Sequence, residues 1–440
     1  MKPTNQESFL KKDIGFIVAL TLVIGSVIGS GIFMKPGKVI AAAGDSNMAL
    51  LAWLLGGLIT LASGLTIAEL SVQIPRTGGL YVYLEEVYGP LWGHLCGWVH
   101  TVIYGPAVIG ALGLYFGSLL AHFFGLPADW KIQLGLATIA FLALVNCLGT
   151  RYGGFIQAAA TTGKLIPITL IAVWGLWHGN GQIWDMPSGL STHTGMGAAI
   201  LATLWAYDGW ILVGFVAGEM KDPAKLLPRA IIIGLFVVTI AYLSVNMALL
   251  HTLPASQITA LMEKASPAAA GILFGKVGGR LISVGILVSI FGTLNGKILA
   301  FPRLPLAMAE RGQLPLSLLW SRVHKNWGTP VYATILEVML AASLMLLGDP
   351  DRLTDIAIFS VYIFSIMAFI GVILLRKRQP DAPRPYKVPL YPFIPIAAVL
   401  GGLFILGTTL LDNPLDSCYS IAITLTGLPV YWWITRKTTA

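Results

Sequence analysis

The chain has 440 residues, of which 56% are hydrophobic and only 11% charged, with a mean hydropathy of +0.78. Its apolar residues come in runs of about twenty, the length that crosses a bilayer as helix, and no polar stretch is long enough to form a soluble domain. The composition therefore excludes a soluble globular enzyme. The net charge of +8 would in a soluble protein point to nucleic acid, but its distribution along the chain assigns it to membrane orientation.

In chain order, polar residues 1–13 precede a first span from Ile14 to about Ala43. Because this apolar run is too long for a signal sequence, it reads as a retained helix and not a cleaved leader. Asp45 and Asn47 turn the chain into a second span, Met48 to Leu70. The Pro/Gly-rich connection Gln73–Tyr81 leads into a short amphipathic piece with Glu85 and Glu86. The third span, Leu95 to Phe124, is long enough that it must tilt or protrude. A fourth, Ile132 to Leu148, and a fifth, Phe155 to Trp177, flank Arg151. A polar loop with His178, Asp185 and His193 precedes the sixth, Met196 to Ala217, and a segment from Glu219 to Arg229 precedes the seventh, which ends at Leu250. Residues 252–280 read as the longest loop on the outer side. Spans eight to twelve follow: Leu281 to Phe301, Val331 to Leu347, Ile356 to Leu375, Ile394 to Leu411, and Cys418 to Ile434.

With the N-terminus cytoplasmic, one side carries Lys11, Lys12, Arg76, Arg151, Lys221, Lys225, Arg229, Arg303, Arg311, Arg322, Lys325, Arg376, Lys377, Arg378, Arg384, Lys387, Arg436 and Lys437. The other has Lys131, Lys264, Lys276, Arg280 and Arg352. This positive-inside asymmetry predicts a multi-pass protein of the cell membrane with both termini cytoplasmic and no nucleic-acid partner. The expected fold is all-α and integral to the membrane: twelve transmembrane helices in one domain spanning residues 1–440.

Two spans are interrupted. In Gly25-Ser26-Val27-Ile28-Gly29-Ser30-Gly31 three glycines and two serines are poor helix formers, each glycine costing about 1 kcal/mol relative to alanine. Unwound backbone at bilayer depth is tolerated only where protein covers it or it lines a cavity. In the sixth span, Trp205-Ala206-Tyr207-Asp208-Gly209-Trp210 puts an acid and a glycine where lipid-facing helix would carry leucine. Spans one and six lie five apart, so a second copy would enter from the opposite face. A pair of broken helices at matching places in inverted halves points to the substrate site of a secondary transporter. The halves would be 1–179 and 196–376, with helices 11 and 12 (389–436) outside the repeat.

The amides of Ser30 and Gly31 would start the second half of span one and favour an anion such as a carboxylate. Carbonyls near Val27, at Trp205 and at Asp208 would accept from an ammonium group. An amphoteric ligand of amino-acid size satisfies both sets, with Val27, Ile28, Gly29, Ser30, Gly31, Trp205, Ala206 and Asp208 as the candidate site. The same glycines would otherwise serve close helix packing.

Lys164, in Thr161-Thr162-Gly163-Lys164-Leu165-Ile166-Pro167, lies mid-span, where burial of a cation costs about 3 kcal/mol on insertion scales. Its ammonium would bond the freed carbonyls of span one, doing the work of a coupling Na⁺; the alternative is snorkelling to an interface. Trp205 is placed to act as a lid, or else packs. Asp208 would alternatively cap a half helix, Lys297 snorkel, and Asn295 line the pore. Glu69 and Glu337 are each a proton carrier or a satisfied structural acid. Cys96, Cys147 and Cys418 have no metal-ligand spacing and read as packing residues. No nucleophilic triad, zinc spacing or phosphate loop is present, so neither a cofactor, a metal nor an enzyme activity is expected.

With these residues in hand, the chain resembles the amino acid–polyamine–organocation superfamily and, within it, the L-type amino acid transporter family. The resemblance rests on Val27–Pro36, Ile74–Gly79, Gly163–Pro167, Ala206–Trp210, Met308–Arg311 and Pro385–Pro392, nearly end to end. It implies a LeuT-like five-plus-five inverted repeat with helices 1 and 6 broken and two extra C-terminal helices. It also implies alternating access and Na⁺-independent exchange of neutral L-amino acids, serine and threonine foremost. By the same resemblance Ser30 and Gly31 take the substrate carboxylate, the carbonyls of Val27 and Trp205 take the amino group, Lys164 is the fifth-helix lysine, and Trp205 is the gate. Phenylalanine is common at the gate, so tryptophan would narrow the pocket. Animal members bind a heavy chain through a cysteine after span three; Gly125–Trp130 has none, so no disulfide-linked heavy chain is expected. Three other readings stay open: a proton-coupled symporter using Glu69, Glu337 or Asp208, an amino-acid-sensing receptor, and a channel.

Overall fold

The computed structural model describes residues 15–74, 79–181, 183, 195–210, 220 and 222–439. Lys11, Lys12, Arg76, Lys221, Pro75–Gly78, Asp185, His193, Glu219 and the part of span six beyond Trp210 lie outside them. Every described element is helical, and no strand occurs among the described residues.

The first span is split into α1 (Phe16–Val27), α2 (Gly31–Met34) and α3 (Pro36–Ala43). Residues 28–30 are non-helical, and the chain bends by 64° at Lys35. Proline tolerates the first position of α3 because the amide it lacks would have no partner there. Gly44 ends α3 with a left-handed φ of 89°, and the Asp45 carboxylate caps α4 (Ser46–Gln73) by accepting from the Met48 amide at 2.8 Å.

Next come α5 (Leu80–Tyr88), α6 (Pro90–Val99) and α7 (Gly105–Phe124), the last two joined through a π-helical turn, His100–Tyr104. The third span is thus one 35-residue helix from Pro90 to Phe124. Helices α8 (Lys131–Leu148), α9 (Thr150–His178) and α10 (Met196–Ala206) follow. The remainder comprises α11 (Pro223–Thr252), α12 (Ala255–Leu261), α13 (Ala265–Ala300), α14 (Arg303–Glu310), α15 (Ser317–Trp320), α16 (Val331–Met345), α17 (Pro350–Arg378), α18 (Phe393–Asp412), α19 (Pro414–Leu425) and α20 (Gly427–Thr439).

Helices occupy each of the twelve apolar runs. Among the described residues, seven are long and apolar enough by themselves to cross a bilayer, or eight if the bent first span counts as one. Two boundaries differ from the sequence reading. Residues 252–280 are largely helical and not an open loop: α12 and the first part of α13 form them, with a non-helical Gly275 (φ 68°) turning the chain inside α13. The last run is two helices meeting at Thr426.

Large apolar side chains such as Leu58, Phe155, Phe236 and Leu281 are exposed, the surface expected where lipid is the solvent. Inside, α1 packs on α11, which also packs on α4 and α9, while α9 packs on α13 and α10 packs on α3 and α4. The two broken segments are therefore enclosed by other helices, where unwound backbone finds partners. Cys96 and Cys147 are buried, but Cys418 is exposed, contrary to its reading as a packing residue.

At one end of the bundle the Glu69 carboxylate takes a two-pronged pair from Arg376, at 2.8 and 2.6 Å, and the Val388 amide at 2.7 Å. Glu69 is the satisfied structural acid of its two readings. It fastens α4 to α17 and to the segment before α18. Nearby, Arg311 bonds Glu85 at 3.1 Å and the Tyr81 hydroxyl at 3.0 Å, tying α5 to the end of α14.

Candidate functional site

The first break is narrower than the Gly/Ser-rich stretch that signals it. Gly25 and Ser26 remain helical and unwinding starts at Ile28, whose backbone is extended (φ −66°, ψ 102°). Helix resumes at Gly31, with Ser30 at the flanking position and no side-chain cap. The second break follows Ala206, where residues 207–210 form a turn.

The two breaks touch through their backbones. A β-carbon on Gly31 would stand 2.3 Å from the Ala206 α-carbon, and one on Gly209 (φ 111°) would stand 2.4 Å from the Ser26 carbonyl oxygen. Glycine at these positions is what lets the segments meet. Between them lies a cavity of about 20 Å³ lined by residues that include Ser26, Val27, Ser30, Gly31, Trp205 and Asp208. That is room for about one water. Admitting an amino acid requires the breaks to separate.

Three polar groups fix this junction. The Lys164 ammonium, on α9 and 2% exposed, donates to the Gly25 carbonyl at the end of α1. The Tyr242 hydroxyl, on α11, lies 3.0 Å from the Val27 carbonyl and 2.8 Å from the Ala206 carbonyl, one from each break. The third group is centred on Asp208. Its carboxylate accepts from the Tyr104 hydroxyl at 2.7 and 2.8 Å and from the Lys297 ammonium at 3.0 Å. Tyr104 belongs to the π-helical turn, a local widening of the helix that recurs at functional sites.

The structure corrects several sequence expectations. Lys297 does not snorkel: its side chain is 7% exposed and ion-paired to Asp208. The Asp208 carboxylate is held by that pair and by Tyr104; the half helix it would cap lies outside the described residues. Asn295 does not line the cavity. Its amide donates to the Gly153 carbonyl at 2.9 Å and its oxygen accepts from Asn146 at 2.9 Å, so it locks α13 to α8 and α9. Ile28 is buried and is not among the cavity-lining residues, whereas Gly29 and Ala206 are. The Val27 carbonyl already accepts from Tyr242 and the Trp205 carbonyl from the Asp208 amide at 3.2 Å; each retains a second lone pair for a ligand. Glu337 is buried against Gly105, and neither of its oxygens has a hydrogen-bond partner among the described residues.

Trp205 is 6% exposed and lines the cavity. Its ring lies 6.0 Å from the Lys35 ammonium, which bonds Thr354 at 2.6 Å and the Asp351 carboxylate at 2.5 Å. Tyr115 also donates to Asp351, at 2.6 Å, and Lys38 pairs with Asp355 at 2.6 Å. This cluster latches α3 to the start of α17, directly above Trp205.

Sequence reasoning missed Tyr242, Tyr104 and the Lys35–Asp351 latch. A lone tyrosine inside an apolar run carries no local signal for the carbonyls it reaches from another helix. Replacing Tyr242 by phenylalanine removes the donor shared by two buried carbonyls. The expected loss is about 1–3 kcal/mol of stability, read as a lower unfolding midpoint in detergent together with slower transport. An unchanged midpoint would show that the hydroxyl does not tie the breaks together.

A model of the family described as amino acid permease matches residues 14–433. The chain belongs to that family. This permease, a multi-pass membrane protein of the amino acid–polyamine–organocation superfamily, is 55% identical over 432 residues to the serine/threonine exchanger of Bacillus subtilis, covering 98% of this chain and 99% of that one. It is 32% identical to the human large neutral amino acids transporter small subunit 2, over 96% of this chain and 80% of that one. It is also 32% identical to the human cystine/glutamate transporter, over 98% and 87%. The permease is thus similar to L-type amino acid transporters, and its family is one of transporters and not of enzymes.

Proposed function

We propose that this permease is a Na⁺-independent exchanger of neutral L-amino acids, with serine and threonine as preferred substrates, working by alternating access in the cell membrane with both termini cytoplasmic. The observation that carries the reading is Lys164 on the Gly25 carbonyl. A fixed ammonium there occupies the carbonyl end of α1, so no inorganic cation is needed to hold it. The substrate carboxylate meets the amides of Ser30 and Gly31, its amino group the carbonyls of Val27 and Trp205, and the Trp205 ring covers it. Twelve spans in a five-plus-five inverted repeat would place this site midway through the membrane. The serine/threonine preference is supported by the Bacillus subtilis exchanger. No disulfide-linked heavy chain is part of the proposed unit.

The test is uptake of labelled L-serine into liposomes holding the purified protein, without Na⁺ or a pH gradient. Uptake is expected only into vesicles preloaded with serine. Equal uptake into empty vesicles would overturn obligatory exchange. Trp205→Phe is expected to enlarge the pocket, so that larger neutral amino acids compete at lower concentration; an unchanged competition profile would refute the lid.

A second reading, proton-coupled symport on the same fold, is favoured by the unpartnered Glu337 carboxyl. It requires uptake driven by an imposed proton gradient and lost in Glu337→Gln.

A further inference from the structure

Five cations, Lys131, Lys264, Lys276, Arg280 and Arg352, lie on the face the sequence marks as poor in charge. Two of them have partners: Lys131 donates to the Gly348 carbonyl at 2.7 Å, and Arg352 pairs with Asp416 at 2.8 Å. Lys276 and Arg280 form no ion pair among the described residues. Both line one cavity of about 280 Å³, set between the end of α7 and the two parts of α13 that diverge at Gly275. Its floor is apolar, with Leu119, Phe123 and Leu287, and its rim is basic, with His122, Lys276 and Arg280.

Lys276 and Arg280 are four residues apart and share a helix face. The adjoining face carries Val277, Leu281 and Val284, all exposed, Val277 at 76% and Leu281 at 69%. The basic rim therefore borders the lipid-facing surface. A small polar solute arriving from water would gain nothing from the apolar floor. A phosphodiester with an attached acyl chain matches both parts, because two cations neutralise the phosphate while the hydrocarbon covers the floor. Simple snorkelling of each cation to the interface would not require a shared cavity.

We propose that this cavity binds an anionic phospholipid from the adjoining leaflet, its phosphate on Lys276 and Arg280 and one acyl chain against Leu119, Phe123 and Leu287.

The test is thermal unfolding of the full chain in phosphatidylcholine bilayers containing increasing phosphatidylglycerol. The wild-type midpoint is expected to rise saturably by roughly 2–4 °C. The Lys276→Gln/Arg280→Gln double variant is expected to lose this rise while matching the wild-type midpoint in pure phosphatidylcholine. If that match fails, the two single variants are used, each expected to retain part of the rise. Lys264→Gln, outside the cavity, is expected to keep the rise in full. No rise in the wild type would overturn the site, as would an equal rise in the double variant, which would mark a diffuse surface-charge effect. An equal rise from soluble glycerol 3-phosphate in pure phosphatidylcholine would assign the cavity to a small anion instead of a lipid. A raised half-saturation concentration for external serine in the double variant would assign it to substrate, and would also overturn the lipid.

Discussion

Replacing Asp208 by asparagine is expected to lower the stability of the permease by about 3–5 kcal/mol, the cost of leaving a buried charge without its partner. The charge left behind is Lys297, whose side chain is 7% exposed beside an aspartate that is 14% exposed. The Phe301 ring, 5.2 Å from its ammonium, does not replace a carboxylate. The loss should appear as a lower unfolding midpoint in detergent and a smaller folded fraction after extraction. Asp208→Asn combined with Lys297→Gln removes both charges, and a neutral pair of similar volume is often as stable as the ion pair it replaces. The double variant should therefore regain most of the midpoint. Its transport is expected to stay low, because Asp208 and Lys297 both line the central cavity. A single variant as stable as the parent would show that water reaches the pair and that burial does not set its strength.

Lys164→Ala is expected to reduce serine exchange roughly 10- to 150-fold, the equivalent of about 1.5–3 kcal/mol for a hydrogen bond to a charged group. The ammonium reaches the Gly25 carbonyl, one turn before α1 unwinds. Without it the carbonyl loses its cationic donor, and the first break loses the group that sets its position relative to α9. Lys164→Arg keeps the charge but brings a planar, bulkier head into a site 2% exposed, so partial activity is expected. Exchange should be measured on protein whose insertion and unfolding midpoint have been checked. Full exchange in the well-inserted alanine variant would refute the role assigned to Lys164. A fallen midpoint with an unchanged half-saturation concentration would mark the lysine as a structural clasp only.

These two residues differ in how far the sequence alone exposes them. Lys164 stands out because a lone lysine deep in an apolar run is costly whatever surrounds it. Lys297 resembles it in the sequence, but its partner Asp208 is 89 residues away. Nothing local distinguishes a lysine that pairs across the bundle from one that snorkels. Asn295 was misplaced for the same reason: an asparagine in a span must bond something, but whether that is ligand or another helix depends on which way α13 is rotated. Glu69 allowed two readings, and Arg376, 307 residues on, decided between them.

The sequence by itself determined the membrane-embedded helical class, the extents of most helices and the two interruptions. Each follows from short-range physics: hydrophobic runs matched to bilayer thickness, glycine and proline in the backbone, and an aspartate at a helix start. Only the tertiary structure decided which charges are partners, that Tyr242 joins the two breaks, that the breaks touch at Gly31 and Ala206, and that Lys276 and Arg280 share a cavity. Those facts depend on the rotation and depth of each helix. Side-chain packing between helices distant in sequence sets both, and no local pattern encodes them.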